Sequence, residues 1–324
     1  AEAHGNGAGQ ALIYEAPAGA ASQEESGCAD ADPRFFCWMD APRPLLLVDN
    51  GSLRPESTLS LRRLAAVVAA RSGREVRAVS LLHSSGVAAA ELGDEPAQIL
   101  EPFLRREAAA GRRRWQVLPL FLGRSGAIVD YLPARLAALR QTWPDLDVTV
   151  APVLAEAGAD AEARLAAMLA DGVRAVVADS VRPVVALVDH GSPARAVTAL
   201  RDRLAVRLAA ELGDAVAGVR ASSMERRPGP EYAFNEPLLE TLLRDRAWRA
   251  AGRGPVVVAM LFLQPGRHAG EGGDVAGICA AAAAEQADLQ TVRTPLLGEH
   301  TGLVDLLVAA SGLDLGENPR TVRG

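Results

Sequence analysis

From Pro44 onward the chain alternates short, continuous apolar runs with longer stretches whose apolar residues fall three and four apart. "PLLLVD" reads as a strand buried on both faces, and Leu61, Leu64 and Val68 then recur at helical spacing up to a stop at Gly73. "EVRAVSLL", a helix around 95 to 110, "WQVLPLFL" and a helix around 128 to 142 continue the alternation. The pattern predicts an α/β fold with a parallel sheet. Residues 1 to 43, rich in Gly, Ala, Glu and Ser without sustained periodicity, read as a flexible extension.

The second half repeats the first. "PVVALVDHGS" matches "PLLLVDNGS" with Asp189 over Asp49, and Val197, Leu200, Leu204, Leu208 and Leu212 form the following helix stripe up to Gly213. Further along, Glu236 falls over Glu95, Phe262 over Phe121 and Pro295 over Pro152, all about 140 residues apart. The expected architecture is two tandem duplicated lobes, 44–172 and 173–324, each a parallel sheet flanked by helices, with a cleft between them.

Composition narrows the function. The 324 residues are 49% hydrophobic and 23% charged, the balance of a globular protein. The longest apolar runs, such as "VVVAMLFL", are far shorter than the roughly 18 residues of a membrane-spanning helix, so no span is expected. A net charge of −6 with 4% aromatics argues against a nucleic-acid partner. All 34 basic residues are arginine, whose fork pairs with carboxylates whatever the total charge. Cys28, Cys37 and Cys279 make no disulfide framework or metal motif and read as free thiols, which points to the cytoplasm. A cleaved signal peptide ahead of Ala1 would instead mean export, where Cys28 and Cys37 could pair.

In the register of the repeat, the chemistry is one-sided. His190 faces Asn50, Glu225 faces Ser84, His268 faces Ala127 and His300 faces Ala157. His190 and Glu225 each follow a predicted strand, and His268 lies in the glycine-rich loop "GRHAGEGGD", so all three are expected at the carboxyl edge of one sheet. Two imidazoles and a carboxylate suit a divalent metal such as cobalt, nickel, iron or zinc, and they suit proton abstraction near neutral pH. Ser192 or a nearby residue can cap the helix that follows His190, and Asp274 is placed to cap a helix through Cys279. His300 is equally a site residue or a structural one, while His83 and His4 read as ordinary loop residues. Asp189, His190 and Ser192 lack the elbow of a hydrolase triad, and neither a phosphate loop nor a dinucleotide fingerprint is present, so no nucleotide cofactor is expected.

"VDHGS" followed by "MLFLQPGRHAGEGGDV" resembles the class II tetrapyrrole chelatases, specifically the CbiX-like sirohydrochlorin cobaltochelatases and ferrochelatases, across residues 44 to 310. The resemblance implies two similar lobes and ATP-independent insertion of Co2+, Fe2+ or Ni2+ into sirohydrochlorin, a lyase reaction of cobalamin or siroheme biosynthesis. His190 and His268 match the family's two histidines and Glu225 its acidic residue, as metal ligands and catalytic groups. Some single-site relatives carry the histidines in the N-terminal lobe, so their place here rests on the residues themselves. Arg195, Arg226 and Arg267, with Arg227, Arg54 and Arg124 nearby, are the expected partners of the substrate carboxylates. The degenerate first lobe also fits a non-catalytic metal- or tetrapyrrole-binding protein, alone, as an oligomer or in a larger assembly.

Overall fold

The computed structural model describes residues 42–178 and 181–313. Most of the expected extension, with Cys28, Cys37 and His4, lies outside the described residues. The first sheet contains β1 (Leu45–Asp49), β2 (Val76–Ser80), β3 (Arg114–Pro119) and β4 (Asp147–Val150), ordered β2-β1-β3-β4. The second contains β5 (Val184–Asp189), β6 (Gly218–Ser223), β7 (Val256–Met260) and β8 (Thr291–Arg293), ordered β6-β5-β7-β8. Every pairing is parallel, and the shared strand order is the sequence repeat seen in three dimensions.

Strand periodicity separates three cores. Leu45 and Leu47 of β1 face one core together with Val185 and Leu187 of β5 and Val257 and Ala259 of β7. Leu46 and Val48 face a second core within the first lobe, and Ala186 and Val188 a third within the second. The central core is filled by four helices: α1 (Pro55–Ser72), α4 (Ala161–Val176), α5 (Arg195–Leu212) and α9 (Gly302–Ala310). Outside them, α2 (Leu100–Ala109) and α3 (Leu132–Thr142) cover the first sheet, while α6 (Leu239–Arg244), α7 (Arg246–Arg249) and α8 (Asp274–Glu285) belong to the second lobe. The helix expected over 95–110 begins at Leu100, because Ser80 donates its N–H to the Gln98 carbonyl and bridges to Ile99, which holds the preceding residues extended.

The lobes exchange their closing helices. α4 follows the first sheet in sequence but packs on α5 and β7 of the second lobe, where Glu162 receives Arg203 at 2.7 Å and Arg207 at 3.3 Å. α9 returns to pack on α1, Arg71 meets Asp305 at 3.2 Å, and Gln116 donates to the Ser311 carbonyl at 3.3 Å. The expected boundary between residues 172 and 173 therefore falls inside α4. The physical reason is that each sheet's inner face is covered partly by the other half of the chain.

Hydrogen bonds also revise the register of the repeat. Leu82 N–H donates to the Asn50 carbonyl as Glu225 N–H donates to the His190 carbonyl, so Glu225 corresponds to Leu82 and not to Ser84. Ser80 and Ser223 donate to the carbonyls of Gln98 and Pro237, which moves Glu236 over Ala97 and away from Glu95. Small loop-length differences between the copies displaced both matches.

Because the central core is shared, loss of one exchanged helix contact should weaken both lobes together. Leu303→Ala, a fully buried position in α9, should cost about 2–5 kcal/mol. Urea unfolding followed at Trp115 and at Trp248, each as the sole fluorophore, should give one shared, lowered midpoint. Two separate midpoints would mean that the lobes fold independently.

Candidate active site

β1 and β5 each end on a buried aspartate, and each turns out through a glycine with positive φ, Gly51 at 87° and Gly191 at 90°. Glycine is required twice over, by the left-handed backbone and by space. A Cβ on Gly51 would overlap the Leu82 carbonyl, and one on Gly191 the Glu225 carbonyl. This contact sets the β5 exit against the β6 exit and brings His190 Nε2 to 3.5 Å from Glu225 Oε1.

His268 arrives from the loop after β7, and its ring centroid lies 4.4 Å from that of His190, the planes at 73°. Both imidazoles are anchored through Nδ1. His190 Nδ1 lies 2.9 Å from the Gly191 carbonyl, which only accepts, so Nδ1 is the donor there. His268 Nδ1 donates to Asp274 Oδ2 at 2.7 Å, with the same result. Asp274 does not cap α8 as its sequence position suggested; it is the first helical residue, and its carboxylate is turned to His268. Ser192 is no helix cap either: α5 has Ala194 at that position without a side-chain cap, and Ser192 Oγ accepts from the Ala194 N–H.

The two histidines open into a cleft of about 820 Å³ at the carboxyl ends of both sheets. Asp49, Asn50, His83 and Phe121 form one wall, and His190, His268 and Phe262 line the other. The volume falls in the range of small-molecule sites, roughly 300–1,000 Å³. Among the described residues no group of three or more His, Cys, Asp or Glu side chains stands ready to hold a metal. His190, His268 and Glu225 are brought to one edge, but as an open set.

The arginines divide. Arg267 and Arg54, one from each lobe, line the cleft, and Arg267 lies 3.5 Å from Asp274. Arg226 is held by Glu236 at 2.7 Å and by the carbonyls of Arg227 and Gly229, so its expected place in the cleft is taken over by its own loop. Arg195 stacks over Phe234, Arg227 over Tyr232, and Arg124 pairs with Glu156. His300 lies away from the cleft, accepting the Gly302 N–H and meeting Asp171 at 3.4 Å. Cys279 is a buried free thiol whose ionisation burial makes harder.

The buried aspartates differ in their neighbours. Asp189 accepts from Ser223 at 2.6 Å and from Gly191 N–H at 3.1 Å, with the buried Arg201 at 3.9 Å. Burial still raises its pKa, opposed by these groups. The first lobe has Leu61 where the second has Arg201, and burial pushes the Asp49 carboxyl up to about 6 against hydrogen bonds from Ser80 and Gly51. Gln264, its amide oriented to donate, reaches Asp49 Oδ2 from the other lobe at 2.8 Å.

The sequence matches no protein-family model and no curated protein. Solved structures do match. SirB of Bacillus subtilis with Fe3+ superposes at a TM-score of 0.56, with 15% identity over 82% of this chain and 92% of its own. The sirohydrochlorin chelatase SirB of Bacillus subtilis subspecies spizizenii, in complex with cobalt, gives 0.59, 14%, 83% and 94%. CbiX, described as the terminal enzyme of siroheme biosynthesis in denitrifying bacteria, gives 0.55, 18%, 84% and 100%.

The fold is that of the two-lobed chelatases. Within that chelatase fold, sequence reasoning missed Asp274 as the partner of His268, Gln264 as a contact between lobes, and His83 as a cleft residue. The six-residue separation of His268 and Asp274 across a glycine-rich loop was the available signal for the first. The others depend on how the lobes face each other.

Folding raises the Asp49 pKa, so the folded state binds that proton more tightly. The associated stability is fully present below about pH 4 and is lost as pH rises through about 6. Asp49→Asn should therefore be more stable than the parent at about pH 8 by on the order of 1–3 kcal/mol, with the gap closing toward pH 4. Urea midpoints across that range measure it, and a gap independent of pH would contradict the assignment.

Proposed function

We propose that the protein inserts a divalent metal, cobalt or ferrous iron, into sirohydrochlorin without a nucleotide, as a step toward cobalamin or siroheme. The observation that carries this reading is the pair of imidazoles, each tied at Nδ1, with Glu225 beside His190 Nε2, at one edge of a cleft built by both lobes. The likeness to SirB and CbiX supports it.

The metal is a substrate here. Insertion forms bonds from the ring nitrogens to the metal and releases two pyrrole protons. His190 and His268 through Nε2, with Glu225 alongside, hold an ion by few ligands and accept a proton as it leaves, whereas a closed thiolate cage would trap the ion. Asp274 keeps the His268 ring oriented. Arg54 and Arg267, one on each side of the cleft, are placed for carboxylates at the rim of the macrocycle. Asn50 and Leu82 supply no comparable base on the facing lobe.

Incubation with sirohydrochlorin and Co2+ or Fe2+ should accelerate the absorbance change of insertion above the spontaneous rate, and His268→Ala should lower that catalysed rate by roughly 100-fold or more. Stoichiometric metal binding without turnover would replace this reading by a binding protein. Asp274→Asn, which keeps the shape and loses the charge, should cost about 10- to 100-fold in metal affinity or rate, measured by the same assay across metal concentrations.

A further inference from the structure

We infer that the buried Arg201 is a positioning residue for His190: through Asp189 and Asn235 it fixes the two peptide groups around Gly191, one of whose carbonyls meets the imidazole. Its consequence in turnover rests on the proposed metal insertion, its geometry on contacts within the second lobe.

The positive φ of Gly191 is a conformation that glycine permits without selecting, so the turn that carries His190 depends on anchors. In the peptide between His190 and Gly191, the N–H donates to Asp189 Oδ1 at 3.1 Å and the carbonyl accepts the Glu225 N–H at 3.2 Å. In the next peptide, the Ser192 N–H donates to Asn235 Oδ1 at 2.9 Å, and the carbonyl is the one 2.9 Å from His190 Nδ1. Both anchoring side chains are buried, and the Asn235 amide also donates to the carbonyls of Ser192 and Tyr232. Arg201, 2% exposed, joins the two anchors. Its Nη1 donates to Ser223 Oγ at 2.5 Å and to the Asn235 carbonyl at 3.1 Å, and the Ser223 hydroxyl donates to Asp189 Oδ1 at 2.6 Å. In the first lobe Leu61 and Pro96 stand in place of Arg201 and Asn235, Ser84 Oγ holds the Ser52 N–H at 3.2 Å, and the turn carries Asn50. A buried guanidinium is costly, and it is present under the turn that has an imidazole to hold. What it holds is the ring proton: Glu225 Oε1 lies 3.5 Å from His190 Nε2, and a displaced Gly191 carbonyl would surrender the proton to that side.

The test compares the parent with Arg201→Lys and with Arg201→Leu joined to Asp189→Asn, a pair that brings in the first lobe's residue and leaves no buried carboxylate alone. At about pH 8.5, where an imidazole is ordinarily neutral, the 15N resonance of His190 Nδ1 should move toward that of an unprotonated nitrogen in both variants. The shift should be larger in the double variant, while His268, held by Asp274, keeps its resonances. Turnover of sirohydrochlorin with Co2+ should lose about 10- to 100-fold in kcat with KM unchanged. A His190 Nδ1 resonance at the parent position in either folded variant overturns the inference. So does a His268 resonance that moves equally, which would mark a general loosening of the lobe. Absence of turnover in the parent overturns the proposed reaction instead, and the resonances alone then decide Arg201.

Discussion

Everything in the cleft depends on one close approach, the glycine after each central strand lying against the carbonyl of the neighbouring strand's exit. At Gly191 that approach leaves no room for a Cβ, fixes the left-handed turn, and delivers the backbone of His190 beside Glu225. The same device at Gly51 delivers Asn50 beside Leu82, where the geometry survives and the imidazole and carboxylate do not. The fold thus specifies two equivalent positions, and the side chains decide which of them can hold a proton or a metal. Rigid backbone contact makes this distinction clean, because neither exit can relax to compensate for the other.

The buried carboxylates beneath these exits follow the same division. In the second lobe, Arg201 and Ser223 lie beside Asp189 and offset part of its desolvation, so the carboxyl under His190 has a guanidinium near it. In the first, Leu61 fills the matching helix position, and Asp49 relies on neutral donors, including Gln264 from the opposite loop. The Gln264 contact ties the loop that bears His268 to the facing wall. Sharing of the central core through α4 and α9 gives that tie a firm base, since neither sheet has an inner face complete without the other half of the chain.

Much of this was legible in the sequence. Continuous apolar runs gave the parallel strands, and the stripe Leu200, Leu204, Leu208 gave α5, because both patterns record burial directly. The repeat exposed His190 and His268 through their contrast with Asn50 and Ala127. Its limit was register: a single linear alignment cannot follow loops that differ by a few residues, so Glu225 was set against Ser84 although the backbone sets it against Leu82. The exchange of closing helices was invisible for a different reason. An amphipathic helix records that it has a buried face, and nothing in α4 records that the sheet it covers comes later in the chain. The arginines failed similarly, since proximity in sequence to His190 and Glu225 says little about a flexible guanidinium that finds Glu236 or Phe234 first.

The open ligand set is itself consistent with passage of a metal. First-row divalent ions bind imidazole strongly enough that a complete tetrahedral or octahedral shell would hold them, and release to a macrocycle would then be slow. Under the proposed reaction, two imidazoles with protein-fixed Nδ1 atoms and a carboxylate beside them would strip part of the hydration shell without closing around the ion. Fixing the rings through Gly191 and Asp274 means little further ordering of the imidazoles would be needed on binding. A weak hold would then be a requirement of the proposed transfer, and the facing lobe, with Asn50 and Leu82 at the matching positions, offers no histidine or carboxylate there to strengthen it.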